Sequence, residues 1–294
     1  MYNLTYYYEI YIMNDTLLIG GGGTKGNILI GALKALLDKG LIKEDYSNIT
    51  TYVTCSVGSI IAFLMCCNFT PTMISKLSIS LNYIELLDYD DIDILFKENG
   101  LFSNDKIINI VRNILYTLFK IKDITLLNFF KLTGKTFTCK VYNLSEFKVE
   151  YFSHENNPDL SLCELIKMTT CIPIFFKPIR YNNKYYVDGG VKGSMVEYSN
   201  YDNYIGLCIH NKKQITDENI DIQNMNPINY IKRILKALSS NNNDEYPPKI
   251  ICVHNEQGEV LDFDINNNKK TNDIKIGYKI AIDHIEEYGL DIKD

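Results

Sequence analysis

The sequence has no apolar run long enough to cross a membrane. Its best candidate covers only residues 60–67, whereas a membrane-spanning helix needs roughly 18 to 20 apolar residues. The first 15 residues have no basic segment, no aliphatic stretch and no small-residue cleavage site, so we predict no signal peptide. These absences predict an intracellular, cytoplasmic protein that is not transmembrane and meets membranes only peripherally.

The sequence also lacks an excess of basic residues. It contains 30 Lys and Arg against 36 Asp and Glu, which gives a net charge of −6. Such a chain has no basic field to hold nucleic acid or an anionic membrane by charge alone. Any contact with a membrane is therefore predicted to be apolar and local.

Metal-ligand spacing is absent as well. The sequence has no Cys-x-x-Cys pair, and its 4 histidines are far apart, so we predict no zinc site. The 8 cysteines are scattered through apolar segments. A chain of 294 residues does not need disulfides for stability, so we expect buried free thiols.

The composition that remains is that of an ordinary globular protein. Hydrophobic residues make up 46% and charged residues 22% of the 294 residues, enough for one sizeable core. We predict an N-terminal leader at residues 1–15 and a single domain at residues 16–294. The motifs fall at about residues 16–200 of that domain.

Strands and helices alternate in the first part of the domain. A strand at Thr16–Ile19 enters a glycine loop and a helix at Gly26–Asp38, and a strand at Thr51–Cys55 leads into a buried helix. This alternation predicts an α/β fold with a mostly parallel sheet covered on both faces. Further predicted helices are 71–133 (with Ser103 as a cap), 160–170, 228–238 and 273–287. Further predicted strands are 136–142, 147–152, 181–187 (with a turn at Asn182-Asn183), 204–210 and 250–253, and Asn runs at 241–243 and 266–268 mark loops.

The glycine loop Gly20 to Gly26 admits three interpretations. A phosphate-binding P-loop fails because Lys25 is followed by Gly26 instead of Ser or Thr, and the Gly-Lys-Thr at residues 134–136 lacks its first glycine. A dinucleotide fingerprint is present at Gly21, Gly23 and Gly26, but the next strand does not end in the acidic residue that binds a ribose. In the third interpretation, Gly22 and Gly23 form an oxyanion hole.

The next strand-to-helix turn carries a candidate nucleophile. Residues 54–58, Thr-Cys-Ser-Val-Gly, resemble the nucleophile elbow Gly-x-Ser-x-Gly, in which a tight turn exposes the serine. Ser56 has a simpler explanation as a helix cap, and Thr54 replaces the first glycine of the elbow. Its position after a strand that follows the glycine loop favours the nucleophile, with Gly58 as the second small neighbour.

A carboxylate at a predicted strand end supplies the base. Asp188 is followed by Gly189 and Gly190, a pattern that is also frequent in plain turns. A buried carboxylate close to a serine hydroxyl can take its proton, since burial raises the affinity of the carboxylate for protons.

These three motifs, in this order, resemble those of patatin-like phospholipases. Segments 100–103, 122–125, 133–135, 172–178, 261–264 and 277–278 also resemble family segments, so the similarity spans about residues 16–287. The resemblance implies a three-layer α/β/α fold and a Ser56–Asp188 dyad that hydrolyses acyl esters of glycerolipids at a membrane or micelle surface. It implies oxyanion donors in the glycine loop and no metal or cofactor. The sequence departs from the family at Thr54, which is expected to strain the elbow, and at Ser194 and Val196, where members often have Asn and Pro.

Two rival functions stay open. The first is an esterase with an α/β-hydrolase triad, because His210 and His254 follow Ser56 and Asp188 in the required chain order. The second is a non-catalytic lipid or nucleotide binder that uses the glycine loop. The aromatic residues Phe119, Phe129 and Phe130 fit a lid that meets lipid, although such residues are more often core.

Overall fold

The computed structural model describes residues 14–89, 100–210, 245–254 and 261–290. The predicted helix at 228–238, the Asn run at 241–243 and nearly all of the predicted leader lie outside these residues. None of the helices within them is long and apolar enough to cross a bilayer.

A central sheet organises the fold. Its strands lie in the order β11-β10-β1-β2-β5-β9-β8, with β6 also paired to β5, and the five strands from β11 to β5 are mutually parallel. Strands β6, β8 and β9 form antiparallel pairs at the other side. The predicted mostly parallel sheet flanked by helices is therefore confirmed. The strands are β1 (Thr16–Ile19), β2 (Thr51–Cys55), β3 (Asp88–Tyr89), β4 (Gly100–Ser103), β5 (Thr136–Asn143), β6 (Lys148–Phe152), β7 (Ile174–Phe176), β8 (Ile179–Tyr181), β9 (Lys184–Asp188), β10 (Tyr204–His210) and β11 (Ile250–His254).

Several of the described helices begin with a side-chain cap. The Thr70 and Thr125 hydroxyls and the Ser161 hydroxyl each accept a hydrogen bond from the backbone N–H three residues on. Such caps satisfy amides that have no partner within the helix. The helices are α1 (Gly26–Asp38), α2 (Val57–Cys66), α3 (Pro71–Ser80), α4 (Asp105–Phe119), α5 (Leu126–Thr133), α6 (Leu162–Thr169) and α7 (Asn267–Tyr288).

The alternation of side chains along the strands divides the core between the two faces of the sheet. Leu17 and Ile19 of β1 point into the larger cluster, which includes the apolar sides of α1, α2 and α6. Leu18 of β1 points to the opposite face, where it packs with Val53 and Val196. Both faces of β1 and β2 are buried, so apolar residues follow one another at 17–19 and 52–53 instead of alternating with polar ones.

The structure corrects two details of the predicted elements. Residues 100–103 form a strand inside the segment predicted to be helical, because they pair with Ile174–Phe176, a partner that is remote in sequence. Ser103 ends that strand and Asn104 holds the N-cap position without a side-chain capping bond, while the Ser103 hydroxyl accepts the Asp105 amide at 3.1 Å. The Asn run at 266–268 begins helix α7, since the Asn266 side chain accepts a hydrogen bond from the Lys269 amide.

The Asn182-Asn183 hairpin is confirmed, with φ angles of 47° and 61° at its two turn residues. Two positive φ angles are typical of the tight turn whose twist matches that of the flanking strands. The cysteines are all free, and every one except Cys252 is buried. Phe129 is fully buried against Phe63, so this predicted lid residue belongs to the core.

Candidate active site

Ser56 occupies a sharp turn between β2 and α2. Its backbone has φ 53° and ψ −129°, a conformation that is costly for a residue with a side chain. The turn needs a glycine two residues on, because a Cβ at Gly58 would lie 2.5 Å from the carbonyl oxygen of Ile19. This close approach sets the start of α2 against the end of β1. The turn therefore has the backbone features of a nucleophile elbow.

Thr54 does not strain this turn, contrary to the expectation from sequence. It lies within the regular strand β2, and the positive φ angle falls at Ser56. The Thr54 hydroxyl is buried and hydrogen-bonded to the Ser59 hydroxyl at 2.8 Å and to the Thr138 carbonyl at 2.9 Å. The fold thus satisfies the polar group that threonine brings to this position.

Asp188 ends β9 beside the elbow. It pairs with Val141 of β5, and β5 in turn lies beside β2, the strand that immediately precedes Ser56. The carboxylate is only 4% exposed, and its Oδ1 accepts the Gly190 amide at 2.7 Å. A Cβ at Gly189 would lie 2.7 Å from the Lys140 carbonyl oxygen, so a glycine is needed for this strand end to approach β5.

The surroundings of Asp188 make it more basic than an ordinary aspartate. Burial raises the pKa of its carboxyl group to about 6, although hydrogen bonds from the Ser56 side chain, the Gly190 amide and the Cys55 thiol, and the charge of Lys140, act to lower it. Burial and the nearby carboxylate raise the pKa of the Cys55 thiol, so this thiol stays protonated. The Ser56 side chain is thus close enough to Asp188 to act on the pKa of its carboxyl group, and the adjacent Cys55 thiol donates to Asp188 Oδ1 at 3.6 Å.

The glycine loop lies on the other side of Ser56. The amides of Gly20 and Gly21 donate to the carbonyl oxygens of Leu207 and Ser194, each at 2.8 Å, and fix the loop. A Cβ at Gly21 would lie 3.3 Å from the Cβ of Ser56. Gly22 and Gly23 follow directly, and Gly23 lines the same cavity as Ser56. Gly26 begins α1 in contact with Val57.

Two buried residues that sequence reasoning missed connect these parts. The Thr169 hydroxyl accepts the Ser56 amide at 3.0 Å and donates to the Lys140 carbonyl at 2.8 Å. The Lys140 ammonium donates to the carbonyls of Gly193 and Met195, each at 2.8 Å, in the loop after Asp188. Phe137, Cys139 and Val141 of β5 alternate into the larger core cluster. Lys140 therefore lies on the opposite face of the strand, where only the folded chain supplies its acceptors.

An apolar cavity opens beside Ser56. It lies between helices α1 to α4. Most of its lining is aliphatic, including Ile30, Ile60, Leu64, Leu77, Ile110 and Val111. An aliphatic cavity beside the serine hydroxyl suits an apolar group of a bound molecule.

The two histidines of the rival triad end strands, as predicted. His210 ends β10, which is separated from the strand of Ser56 by β1, and His254 ends the next strand outward. With strands about 4.8 Å apart, these backbones lie roughly 10 and 14 Å from the β2 strand. By the same measure the β9 backbone that carries Asp188 also lies roughly 10 Å from β2, but its side chain reaches the elbow, since its Oδ1 accepts a hydrogen bond from the Cys55 thiol at 3.6 Å.

Known proteins share this arrangement of elements. A model of the family described as Patatin-like phospholipase matches residues 17–197, a segment that contains the glycine loop, the elbow and Asp188. The chain is 34% identical over 212 residues to a probable lipid hydrolase of Invertebrate iridescent virus 6, covering 67% of this chain and 65% of that protein. It is 27% identical over 176 residues to an uncharacterised protein of Acanthamoeba polyphaga mimivirus, covering 59% and 57%. The chain thus spans less than two thirds of the length of these curated relatives.

Two solved structures have a similar fold. VipD from Legionella pneumophila aligns with 94% of this chain and 67% of its own, with a TM-score of 0.65 and 16% identity. ExoU of Pseudomonas aeruginosa, crystallised with SpcU, aligns with 94% of this chain and 52% of its own, with a TM-score of 0.54 and 15% identity. At such identities the likeness concerns the fold alone. The family model, in contrast, covers more than half of the chain, and the chain therefore belongs to the patatin-like phospholipase family.

Proposed function

We propose that this protein is a serine hydrolase that cleaves acyl esters of glycerolipids through a Ser56–Asp188 dyad. The observation that carries the proposal is the sharp turn that presents Ser56 beside the buried Asp188 carboxylate at the wall of an apolar cavity. The cavity suits the acyl chain, and the elbow holds the hydroxyl where the ester carbonyl would lie.

In the first half of the reaction, Ser56 attacks the ester. Its Oγ bonds to the carbonyl carbon while the hydroxyl proton passes to Asp188, and the Gly22 and Gly23 amides stabilise the oxyanion. When the tetrahedral intermediate collapses, the carbon–oxygen bond to the glycerol side breaks. The leaving alkoxide takes the proton from Asp188 and departs as the alcohol.

In the second half, water releases the acyl group. Asp188 accepts a proton from water, and the resulting hydroxide oxygen bonds to the acyl carbon. The Ser56 ester bond then breaks, Ser56 regains the proton and a fatty acid leaves. With a pKa of about 6, Asp188 is ionised at neutral pH and is a stronger base than an exposed aspartate.

The proposed setting is the surface of an intracellular membrane or a lipid micelle, reached from the cytoplasm. Cysteines that are all unpaired are typical of a reducing compartment. We also propose that residues 16–294 act as one domain, because β10 and β11 extend the sheet that carries the site.

A fluorophosphonate probe and a panel of mixed-chain phospholipids test the proposal. Ser56→Ala should lose probe labelling. Ser56→Ala and Asp188→Asn should each lower kcat by at least about 10³-fold, as is typical when one residue of a catalytic dyad or triad is removed. Ser75→Ala is the matched control, since the Ser75 hydroxyl only caps the Pro71 carbonyl. Circular dichroism should show native folding for all three variants.

Each rival predicts a different outcome. If His210→Ala or His254→Ala abolished hydrolysis in a folded protein, a triad would replace the dyad. If the wild type bound lipid or nucleotide but neither reacted with the probe nor released fatty acid, the chain would be a binding protein.

A further inference from the structure

The turn between β5 and β6 exposes a phenylalanine. Residues 144–147 connect the two strands, and Phe147 is 78% exposed, the highest value among the large hydrophobic side chains of the described residues. Exposed apolar side chains of this kind mark surfaces that meet a partner when other observations support it.

The backbone of Phe147 provides a second observation. Its φ angle is 54°, in the left-handed region that glycine and asparagine occupy readily and bulky residues do not. Phe147 therefore adopts an unfavourable backbone conformation and exposes its ring, and packing compensates for neither. Asn at this position would relieve the backbone strain, and no packing contact of the ring would be lost. The fold therefore gives no reason for an aromatic ring here.

The turn holds Phe147 rigidly. The Asn143 side-chain oxygen accepts the amides of Ser145 and Glu146 at 2.9 and 3.0 Å. The Ser145 hydroxyl accepts the Tyr185 amide at 3.0 Å, which ties the turn to the neighbouring hairpin. These bonds order the turn without involving the Phe147 ring.

The turn projects from the edge of the sheet that carries Ser56. Lys140 of β5 is level with Cys55 at the end of β2, and Val141 is level with Asp188. β5 continues beyond this level, so the turn lies about 13 Å farther out, at roughly 3.3 Å per residue. Tyr185, which is 49% exposed, adjoins the turn on the next hairpin.

Basic side chains surround these aromatic rings. Lys148 forms ion pairs with Glu146 and Glu150, Lys184 pairs with Glu146, and Arg180 lies on the strand beside Tyr185. These three basic side chains outnumber the two acidic ones. The local balance is therefore positive on a chain whose net charge is −6. Aromatic side chains flanked by basic ones favour the interface of an anionic bilayer.

We propose that residues 144–148 and 180–185 form a lipid-docking surface, on which Phe147 inserts into an anionic bilayer. This assignment extends the proposed function, because it sets the edge that bears Ser56 against the membrane that contains the substrate. It also agrees with the expectation that membrane contact is apolar and local.

Vesicle binding tests the proposal in a Ser56→Ala background, where no substrate is consumed. The probe is a sucrose-loaded vesicle of phosphatidylcholine with phosphatidylserine, and sedimentation measures the bound fraction. Phe147→Asn should weaken binding by about tenfold or more, because the ring no longer leaves water. Its thermal midpoint should not fall, since Asn tolerates the left-handed backbone.

Leu132→Asn is the matched control. Leu132 is 45% exposed at the end of α5, just before β5 begins at the opposite edge of the sheet. This variant should bind vesicles within about twofold of the parent, as expected of a surface residue away from the interface. Equal binding by Phe147→Asn and its parent, or no vesicle binding by the parent, would overturn the proposal.

A soluble short-chain ester separates this proposal from the proposed function. With Ser56 intact, Phe147→Asn should hydrolyse the soluble ester at the wild-type rate and lose activity only on vesicles. Loss of soluble-ester hydrolysis in Phe147→Asn would contradict a docking role. If the wild type hydrolysed no ester but its vesicle binding still required Phe147, the docking surface would stand and the dyad would not.

Discussion

At the scale of single residues, Lys140 links the candidate nucleophile to its base. Its carbonyl is joined through Thr169 to the Ser56 amide, and its ammonium holds the loop that follows Asp188. Its positive charge also acts to lower the pKa of Asp188. Lys140 is thus a positioning residue that influences both geometry and proton affinity.

We predict that Lys140→Met moves the pH dependence of kcat/KM to higher pH. The dyad requires ionised Asp188, so wild-type activity should rise with pH through about 6, the pKa of this carboxyl group. Without the positive charge of the lysine, the pKa of the Asp188 carboxyl group rises. The acid limb of the kcat/KM profile therefore shifts to higher pH. We expect kcat at the optimum to fall about tenfold, as one positioning contact is lost.

Lys135→Met is the control for this measurement. The Lys135 ammonium also donates to backbone carbonyls, those of Tyr46 and Ile49, but at the far edge of the sheet. Its loss should lower the midpoint of thermal unfolding and leave the pH profile in place. Profiles that coincide for the wild type and Lys140→Met would refute the electrostatic role of Lys140.

At the scale of elements, the last helix and the first helix touch at glycines. A Cβ at Gly277 of α7 would lie 2.0 Å from the Ile28 carbonyl oxygen, and a Cβ at Gly31 of α1 would lie 2.0 Å from the Ile274 carbonyl oxygen. Backbones this close allow no side chain between them. The helix α7 lies outside the segment that the family model matches, yet it packs directly on the helix that begins at the glycine loop.

We predict that Gly277→Ala lowers the free energy of unfolding by about 3 kcal/mol, the upper end of the usual cost of overpacking. Alanine favours a helix over glycine by only about 1 kcal/mol, so the clash outweighs the gain. Urea denaturation measures the difference. Gly289→Ala is the control, because φ is 59° there and an added Cβ would meet no neighbouring atom within 4 Å. This variant should lower the free energy of unfolding by only about 1 kcal/mol. Equal losses for both variants would show that α1 and α7 do not meet this closely.

At the scale of the whole molecule, the sheet extends beyond the matched segment. Strand β10 pairs with β1, the strand that enters the glycine loop, and β11 pairs with β10. The Gly20 amide also bonds to Leu207 of β10. The position of the glycine loop therefore depends on residues that follow the three motifs in the sequence.

We predict that a chain ending at residue 197 does not fold cooperatively. It would lose β10, β11 and α7, leaving β1 as an open edge and uncovering α1. Near-ultraviolet circular dichroism and thermal unfolding test this expectation. A chain that lacks only residues 1–13 keeps every described element and should retain its transition, whereas a cooperative transition in the 1–197 chain would mean that the motif-bearing part is a domain by itself.

The sequence by itself determined those features that depend on residues close together in the chain. Apolar runs, glycines and turn residues located β1, α1, β2, β10 and the Asn182-Asn183 hairpin, because each is set by local periodicity or backbone preference. The order of the three motifs was enough to predict the fold and to nominate Ser56 and Asp188. The effect of Thr54 on the elbow could not be predicted from the sequence, because it depends on whether the Thr54 hydroxyl finds hydrogen-bond partners in the folded chain.

Only the tertiary structure decided the features that depend on contacts between remote segments. Residues 100–103 became a strand because Ile174–Phe176 lies beside them, and Thr169 and Lys140 reached the elbow through bonds across the sheet. The basicity of Asp188 likewise follows from burial among distant residues. Such contacts leave no periodic signal, since their energy depends on which atoms meet after the chain has folded.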